Sequence, residues 1–284
     1  MQDESATPPL SRRRALATGF AAVAATGLRA PPATAAELAN PQRALTAQTT
    51  EGPYFLDTMP LRADITEGLP GVPLDVRLQV TDASGQALPE WRVDLWQCDA
   101  AGVYSGYAGQ GDDKSTSAVG KTFLRGALVT GADGTVVFRS LYPGWYEGRT
   151  THIHFKVRSG PRHVLTSQFF LPDALSEFLY TRLPDYRRAG LRNVLNSTDG
   201  IAMMAGDTVI GAVRDAAGRY VASLTLVIDP LANAPVHRPG PGSGPPPGAS
   251  GRGGPPPGFG GVPALKAPEG EARATALVPG PRPR

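Results

Sequence analysis

Two histidines separated by one residue, His152-Ile153-His154, stand out in a chain of 284 residues that holds only four histidines. On an extended strand, side chains at i and i+2 share a face, so both imidazoles would project together while Ile153 and Phe155 point into a core. Paired neutral imidazoles form a two-toothed edge for a transition metal, although the same pair on a surface strand is often inert. His163 and His237 sit in a loop setting and a tail setting and offer no such pair. The single cysteine, Cys98, reads as a small buried hydrophobe, and with no Cys-x-x-Cys a thiolate zinc centre has no support. The neighbourhood is instead rich in tyrosine. Tyr146 lies six residues before His152, and Tyr104 and Tyr107 close the run Asp99–Tyr107. A phenol with a pKa near ~10 is held as phenolate only by a strongly acidic ion, and a hard trivalent ion does this far better than Zn(II) or Mg(II). Two phenolates and two imidazoles around Fe(III) leave a singly positive centre with room for hydroxide or a dianionic substrate. A non-haem Fe(III) is the favoured ion, and Cu or Zn on the same histidine pair is the competing one.

Elements able to position these residues are legible in the alternation of apolar and polar side chains. Strands are predicted over Leu74–Val80, Val93–Cys98, Phe123–Thr130, Thr135–Arg139, His152–Val157 and Val164–Phe170. Turns fall at Asp82–Gly85 and Gly131–Gly134. Leu175, Phe178 and Leu179 at helical spacing behind an acidic start predict a helix over Asp173–Arg182, with a second short one over Tyr186–Leu195. Strands return at Val209–Val213 and Tyr220–Ile228, joined by a turn at Asp215–Gly218. Many short strands with a brief helical insertion predict an all-β fold, a β-sandwich.

Composition divides the chain into three parts. Residues 230–284 contain 27 Gly or Pro among 55 and six basic residues against two acidic ones. Such a segment cannot bury enough apolar surface to offset its ordering entropy, so a disordered tail is expected. At the other end, Ser11-Arg12-Arg13-Arg14-Ala15-Leu16 precedes the uncharged stretch Ala15–Leu28 and the small residues Ala33-Thr34-Ala35. This pattern is similar to a twin-arginine signal peptide over residues 1–35. Its 14 apolar or small residues are too few to span a bilayer. The intervening segment, 36–229, carries 18 Lys and Arg against 21 Asp and Glu. The basic balance of the whole chain therefore comes from its ends and gives no support for nucleic-acid binding.

The two segments around the tyrosines resemble the intradiol ring-cleavage dioxygenases. Leu95-Trp96-Gln97 with Gly102-Val103-Tyr104 matches a family strand followed by Gly-x-Tyr. Pro143-Gly144-Trp145-Tyr146 matches its Pro-Gly-x-Tyr turn, and Arg149 to Phe155 matches its Arg-x-x-His-Ile-His-Phe run. Leu165-Thr166-Ser167-Gln168 and Glu51-Gly52-Pro53-Tyr54-Phe55 match two further segments, so the likeness covers residues 47–229 in order. It implies a non-haem Fe(III) held by Tyr104, Tyr146, His152 and His154, with Tyr146 the ligand that leaves when substrate binds. It also implies a catecholic substrate cleaved by O2 between its two hydroxyl-bearing carbons to a muconate-type diacid. Arg149 would stabilise charge on the ring, or else be a turn residue paired with Glu147. Gln168 would bind substrate or order Arg149, and Tyr54 would line the substrate mouth. Trp96 and Trp145 read as packing residues.

The chain departs from the family in two places. The connection from Tyr146 to His152 is short, and the long helical dimerisation segment of catechol-cleaving members is missing. This shorter form is similar to exported relatives, and the export signal implies a periplasmic or extracellular location. Substrate substituent and oligomeric state are left open. The alternative class is a non-catalytic β-sandwich binding module at the cell surface, with the tyrosines and histidines merely packed.

Overall fold

Each alternating segment becomes a strand, and the strands form two four-stranded sheets. The computed structural model describes residues 42–111, 113–234 and 264–278; the signal-like stretch 1–35 lies outside them. One sheet comprises β1 (Pro73–Thr81), β4 (Thr135–Leu141), β7 (Ala212–Ala216) and β8 (Arg219–Val227), in the order β4-β1-β8-β7. The other comprises β2 (Arg92–Trp96), β3 (Arg125–Val129), β5 (His152–Ser159) and β6 (Arg162–Phe170), in the order β3-β2-β5-β6 and antiparallel throughout. Leu74, Val76, Leu78 and Val80 of β1 join Val93 and Leu95 of β2 and Ile153, Phe155 and Val157 of β5 in one buried cluster. Full burial of each such side chain contributes about 1.5–3 kcal/mol. The period of two then sends Trp96, His152, His154 and Lys156 to the opposite face of the second sheet, yet these are buried as well.

What covers that face is an irregular strap, residues 42–65, with no periodicity to betray it. Thr46 N–H donates to the Val227 carbonyl (2.8 Å) and Thr49 N–H to that of Thr166 on edge strand β6 (2.8 Å). The chain then crosses the outer face, where Glu51 ion-pairs with buried Lys156. It reaches edge strand β3, where Ala127 N–H donates to the Pro60 carbonyl (2.8 Å), and then β4, where Ile65 N–H donates to that of Arg139 (3.0 Å). The strap thus satisfies three exposed strand edges as it roofs the sheet.

Helix α1 spans Asp173–Arg182 as predicted. Tyr186–Leu195 is not a helix. Pro184–Tyr186 forms one 3-10 turn, and past Gly190 Asn193 and Asn196 are used through their side chains, bonding Gly148 and Thr150. A six-residue helix the sequence reading passed over, α2 (Gly200–Ala205), starts at Asp199, whose side chain accepts from Ile201 N–H and Ala202 N–H. The strand expected at Val209–Val213 begins three residues later, because Gly206–Val209 is a 3-10 turn. His163 lies on β6 rather than in a loop. Among the described residues no helix is long and apolar enough to cross a membrane.

The expectation of a disordered tail over 230–284 is corrected for residues 264–278. Here α3 (Gly270–Leu277) lies against the body. Arg273, 7% exposed, grips Glu177 of α1 with Nε and Nη2, each at 2.8 Å. Leu265 N–H and Ala267 N–H donate to Thr198 and Asn193 carbonyls (2.8 Å each). Local composition explains this: Gly270–Leu277 reads GEARATAL, rich in helix formers inside a Gly/Pro-heavy stretch. A chain ending at 263 is expected to lose about 2 kcal/mol with this bidentate pair. That corresponds to a melting point lower by about 4–8 °C. An unchanged midpoint in thermal unfolding would show that the packing contributes nothing.

Candidate metal centre

The two tyrosine-bearing loops are brought together by glycines. After β2, the Asp99 side chain accepts from Ala101 N–H and Val103 N–H (2.9 Å each) and turns the chain. Gly102 has φ +79°, and a Cβ there would lie 2.2 Å from the Trp145 carbonyl oxygen. A Cβ on Gly144 would lie 2.3 Å from that of Ala100. Only glycine permits this backbone approach, which Gly144 N–H seals by donating to the Asp99 carbonyl at 2.9 Å. Gly-x-Tyr and Pro-Gly-x-Tyr are thus two halves of one contact that places Tyr104 beside Tyr146.

Four donor atoms converge above β5. His152 Nδ1 lies 2.6 Å from the Thr150 carbonyl oxygen. That oxygen only accepts, so Nδ1 carries the proton and Nε2 keeps a bare lone pair. Around this Nε2 stand the Tyr146 hydroxyl at 3.1 Å, His154 Nε2 at 3.1 Å and the Tyr104 hydroxyl at 3.5 Å. One lone pair cannot serve three polar neighbours, whereas a cation shared by two phenol oxygens and two imidazole nitrogens satisfies all of them. The donor set therefore fits a metal ion. Among the described residues no group of three or more His, Cys, Asp or Glu converges elsewhere to hold one. Trp96 backs the cluster, stacked on His154 with centroids 4.9 Å apart and planes at 10°.

Burial sets the protonation of the metal-free site. It pushes both the Tyr104 and Tyr146 phenols above their ordinary value, and the nearby Arg149 guanidinium opposes this. It lowers His152 to about 3, and Arg149 adds to that depression. His154 falls well below its ordinary value for the same first cause, with His152 and Arg149 contributing. Neutral imidazoles are what a metal needs from histidine, and a bound cation reverses the preference of the phenols.

Arg149 does not pair with Glu147. Its Nε donates to Asp199 (2.8 Å) and its Nη2 to the Gln168 side-chain oxygen. Gln168 in turn donates to the Thr50 carbonyl of the strap at 3.0 Å. Gln168 therefore orders Arg149. Tyr54 stacks on Tyr104, with centroids 4.4 Å apart and planes at 18°, and meets Tyr146 edge-on at 6.4 Å. Tyr107 is turned away, its hydroxyl donating to the Phe55 carbonyl at 2.8 Å. Sequence reading passed over Asp199 and Thr150. An Asp directly before Gly200-Ile201-Ala202 is a helix-cap signal, but nothing local announces that it reaches a residue 50 positions earlier.

A protein-family model described as a dioxygenase matches residues 50–178, the span from the strap to α1 that contains every one of these tyrosines and histidines. A hydroxyquinol 1,2-dioxygenase of Nocardioides simplex is 30% identical over 147 residues, 44% of this chain and 47% of its own length. A catechol 1,2-dioxygenase of Acinetobacter baylyi is 25% identical over 220 residues, covering 68% and 67%. The chain thus spans about half the length of the first of these curated relatives. An intradiol ring-cleavage dioxygenase from Tetranychus urticae, known as a solved structure, is 29% identical with a TM-score of 0.62. That match covers 68% of this chain and 98% of the other. Motif order, glycine-sealed loops and these likenesses agree, and the chain belongs to the intradiol ring-cleavage dioxygenase family.

Proposed function

We propose that this chain is an exported, Fe(III)-dependent enzyme that cleaves a catecholic ring between its two hydroxyl-bearing carbons. Both atoms of O2 enter the product, a muconate-type diacid. The observation that carries the reading is the meeting of two phenols and two imidazoles at 3.1–3.5 Å around His152 Nε2, beside a fixed guanidinium. Fe(III) held by Tyr104, Tyr146, His152 and His154 would supply the Lewis acidity that binds a catechol as its dianion and makes the ring reactive toward O2. Tyr146, only half-buried, is the phenol that gives way to substrate and takes up a catechol proton at its oxygen. Tyr104, fully buried, stays in place. Arg149 presents a preorganised positive charge to negative charge building on the ring, held steady by Gln168. Tyr54, leaning on Tyr104, walls the mouth through which a planar aromatic enters. The resemblance of residues 1–35 to a twin-arginine signal supports a location in the periplasm or outside the cell.

Purified, iron-loaded protein is expected to be red-brown from tyrosinate-to-Fe(III) charge transfer, with a band that moves when catechol is added. Oxygen uptake with catechol, protocatechuate and hydroxyquinol is expected to consume one O2 per ring for at least one of them. An iron-replete preparation without a visible band would overturn the ligand set, and a coloured one inert to all three substrates would overturn the reaction.

A further inference from the structure

We propose that Asp199 is a positioning residue that orients both the guanidinium of Arg149 and the imidazole of His152 through one carboxylate; this rests on the reading of the site given above. Asp199 is fully buried and every contact of its carboxylate is directional. Oδ1 is anchored by Ile201 N–H (2.9 Å) and Ala202 N–H (3.1 Å) in the first turn of α2. Oδ2 faces the site and accepts from Arg149 Nε (2.8 Å) and from Thr150 N–H (2.9 Å). Burial alone would raise this carboxyl, but Arg149 and the Thr150 N–H hold it below its ordinary value, so it is ionised.

Two consequences run from Oδ2. With Nε on Asp199 and Nη2 on Gln168, the guanidinium is held at two separate nitrogens, which fixes its plane as well as its place. Through the Thr150 N–H, Asp199 anchors the residue whose carbonyl, in the next peptide unit, accepts the His152 Nδ1 proton at 2.6 Å. The same carboxylate therefore selects the imidazole tautomer that leaves Nε2 free for a metal. The loop preceding α2 braces the same segment: Asn193 accepts from Gly148 N–H (3.1 Å) and Asn196 from the Thr150 hydroxyl (2.8 Å). The rival view is that Asp199 merely caps α2.

Asp199→Asn separates the two views, because asparagine caps a helix as well as aspartate does. With its oxygen kept on the α2 amides, its NH2 group would face two donors, Arg149 Nε and Thr150 N–H. Iron affinity measured against a competing chelator, with no substrate present, is expected to fall about 10–100-fold. With the iron restored, kcat is expected to fall about 10–100-fold with KM changed less than about threefold. Because an unpaired buried guanidinium could prevent D199N from folding, the double variant R149Q/D199N removes both charges together. Its kcat is expected to match that of R149Q within about threefold, as coupled residues do not add. Unchanged iron affinity and kcat in D199N, or independent multiplication of the two losses in the double variant, would overturn the proposal. Should the native protein oxidise no catechol at all, the chelator measurement still tests the hold of Asp199 on His152.

Discussion

His152→Ala is expected to yield a colourless, iron-free protein whose ring cleavage drops to the uncatalysed level, a loss of about six orders of magnitude or more. The reason is positional. His152 Nε2 is the atom around which the other three donors gather, so its removal deletes the centre of the donor set and not one corner. His154→Ala removes the neighbouring nitrogen and is expected to have the same outcome. Without metal, the native site crowds polar atoms that the substitution relieves, so both variants should unfold close to the iron-free native protein. Metal analysis, the visible spectrum and thermal unfolding check this together. Full iron content with full activity in His154→Ala would remove it from the ligand set.

Arg149→Ala is expected to keep its iron and colour while kcat falls about 10²–10³-fold, the usual cost of losing one preorganised electrostatic contact to developing charge. It carries a stability cost as well. Asp199 keeps three backbone N–H donors, from Thr150, Ile201 and Ala202, but loses its cation. Breaking a buried pair this way costs about 3 kcal/mol, the low end of the usual range. The pH dependence follows in sign. In the native protein Arg149 helps hold Asp199 below its ordinary value, so this stabilisation is present above about pH 4 and is lost as pH falls through the folded-state pKa. In the variant burial is less opposed and the carboxyl rises, so the variant gains relative stability as acid neutralises it. The gap in melting temperature between the two proteins is therefore expected to be wider at pH 7 than near pH 4. A gap that widened toward acid would contradict an ionised Asp199.

Much of the second sheet was legible because it obeys a period of two. His152 and His154 were placed on one face by spacing alone, and Ile153 and Phe155 did enter the opposite core. The motif glycines were visible as letters, but their reason, carbonyl oxygens 2.2–2.3 Å from any Cβ, exists only between segments far apart in sequence. Elements without periodicity went unread. The strap spends its backbone hydrogen bonds on strand edges. The six residues of α2 are too few for a helical pattern to rise above its neighbours. β7, the edge strand Ala-Val-Arg-Asp-Ala, has no fully buried residue and only Val213 packed against the core, too little of an apolar face to mark where it begins. Over Tyr186–Leu195 a short helix was expected, but tertiary use of Asn193 and, just beyond, Asn196 took precedence over local preference.

The strap also fixes an order of events during synthesis. It leaves the ribosome early, yet the partners of its first half beyond Arg43 come late: Thr46 bonds Val227, 181 positions on, Ala47 bonds Thr208, 161 on, and Thr50 bonds Gln168, 118 on. Contacts of such separation form only once the distant strands exist. Tyr54 therefore cannot settle on Tyr104, nor Thr50 on Gln168, until almost all of the body has been translated. Iron captured before that moment would sit in an unroofed groove. A nascent chain that stops before β8 would lack the strand that Thr46 bonds.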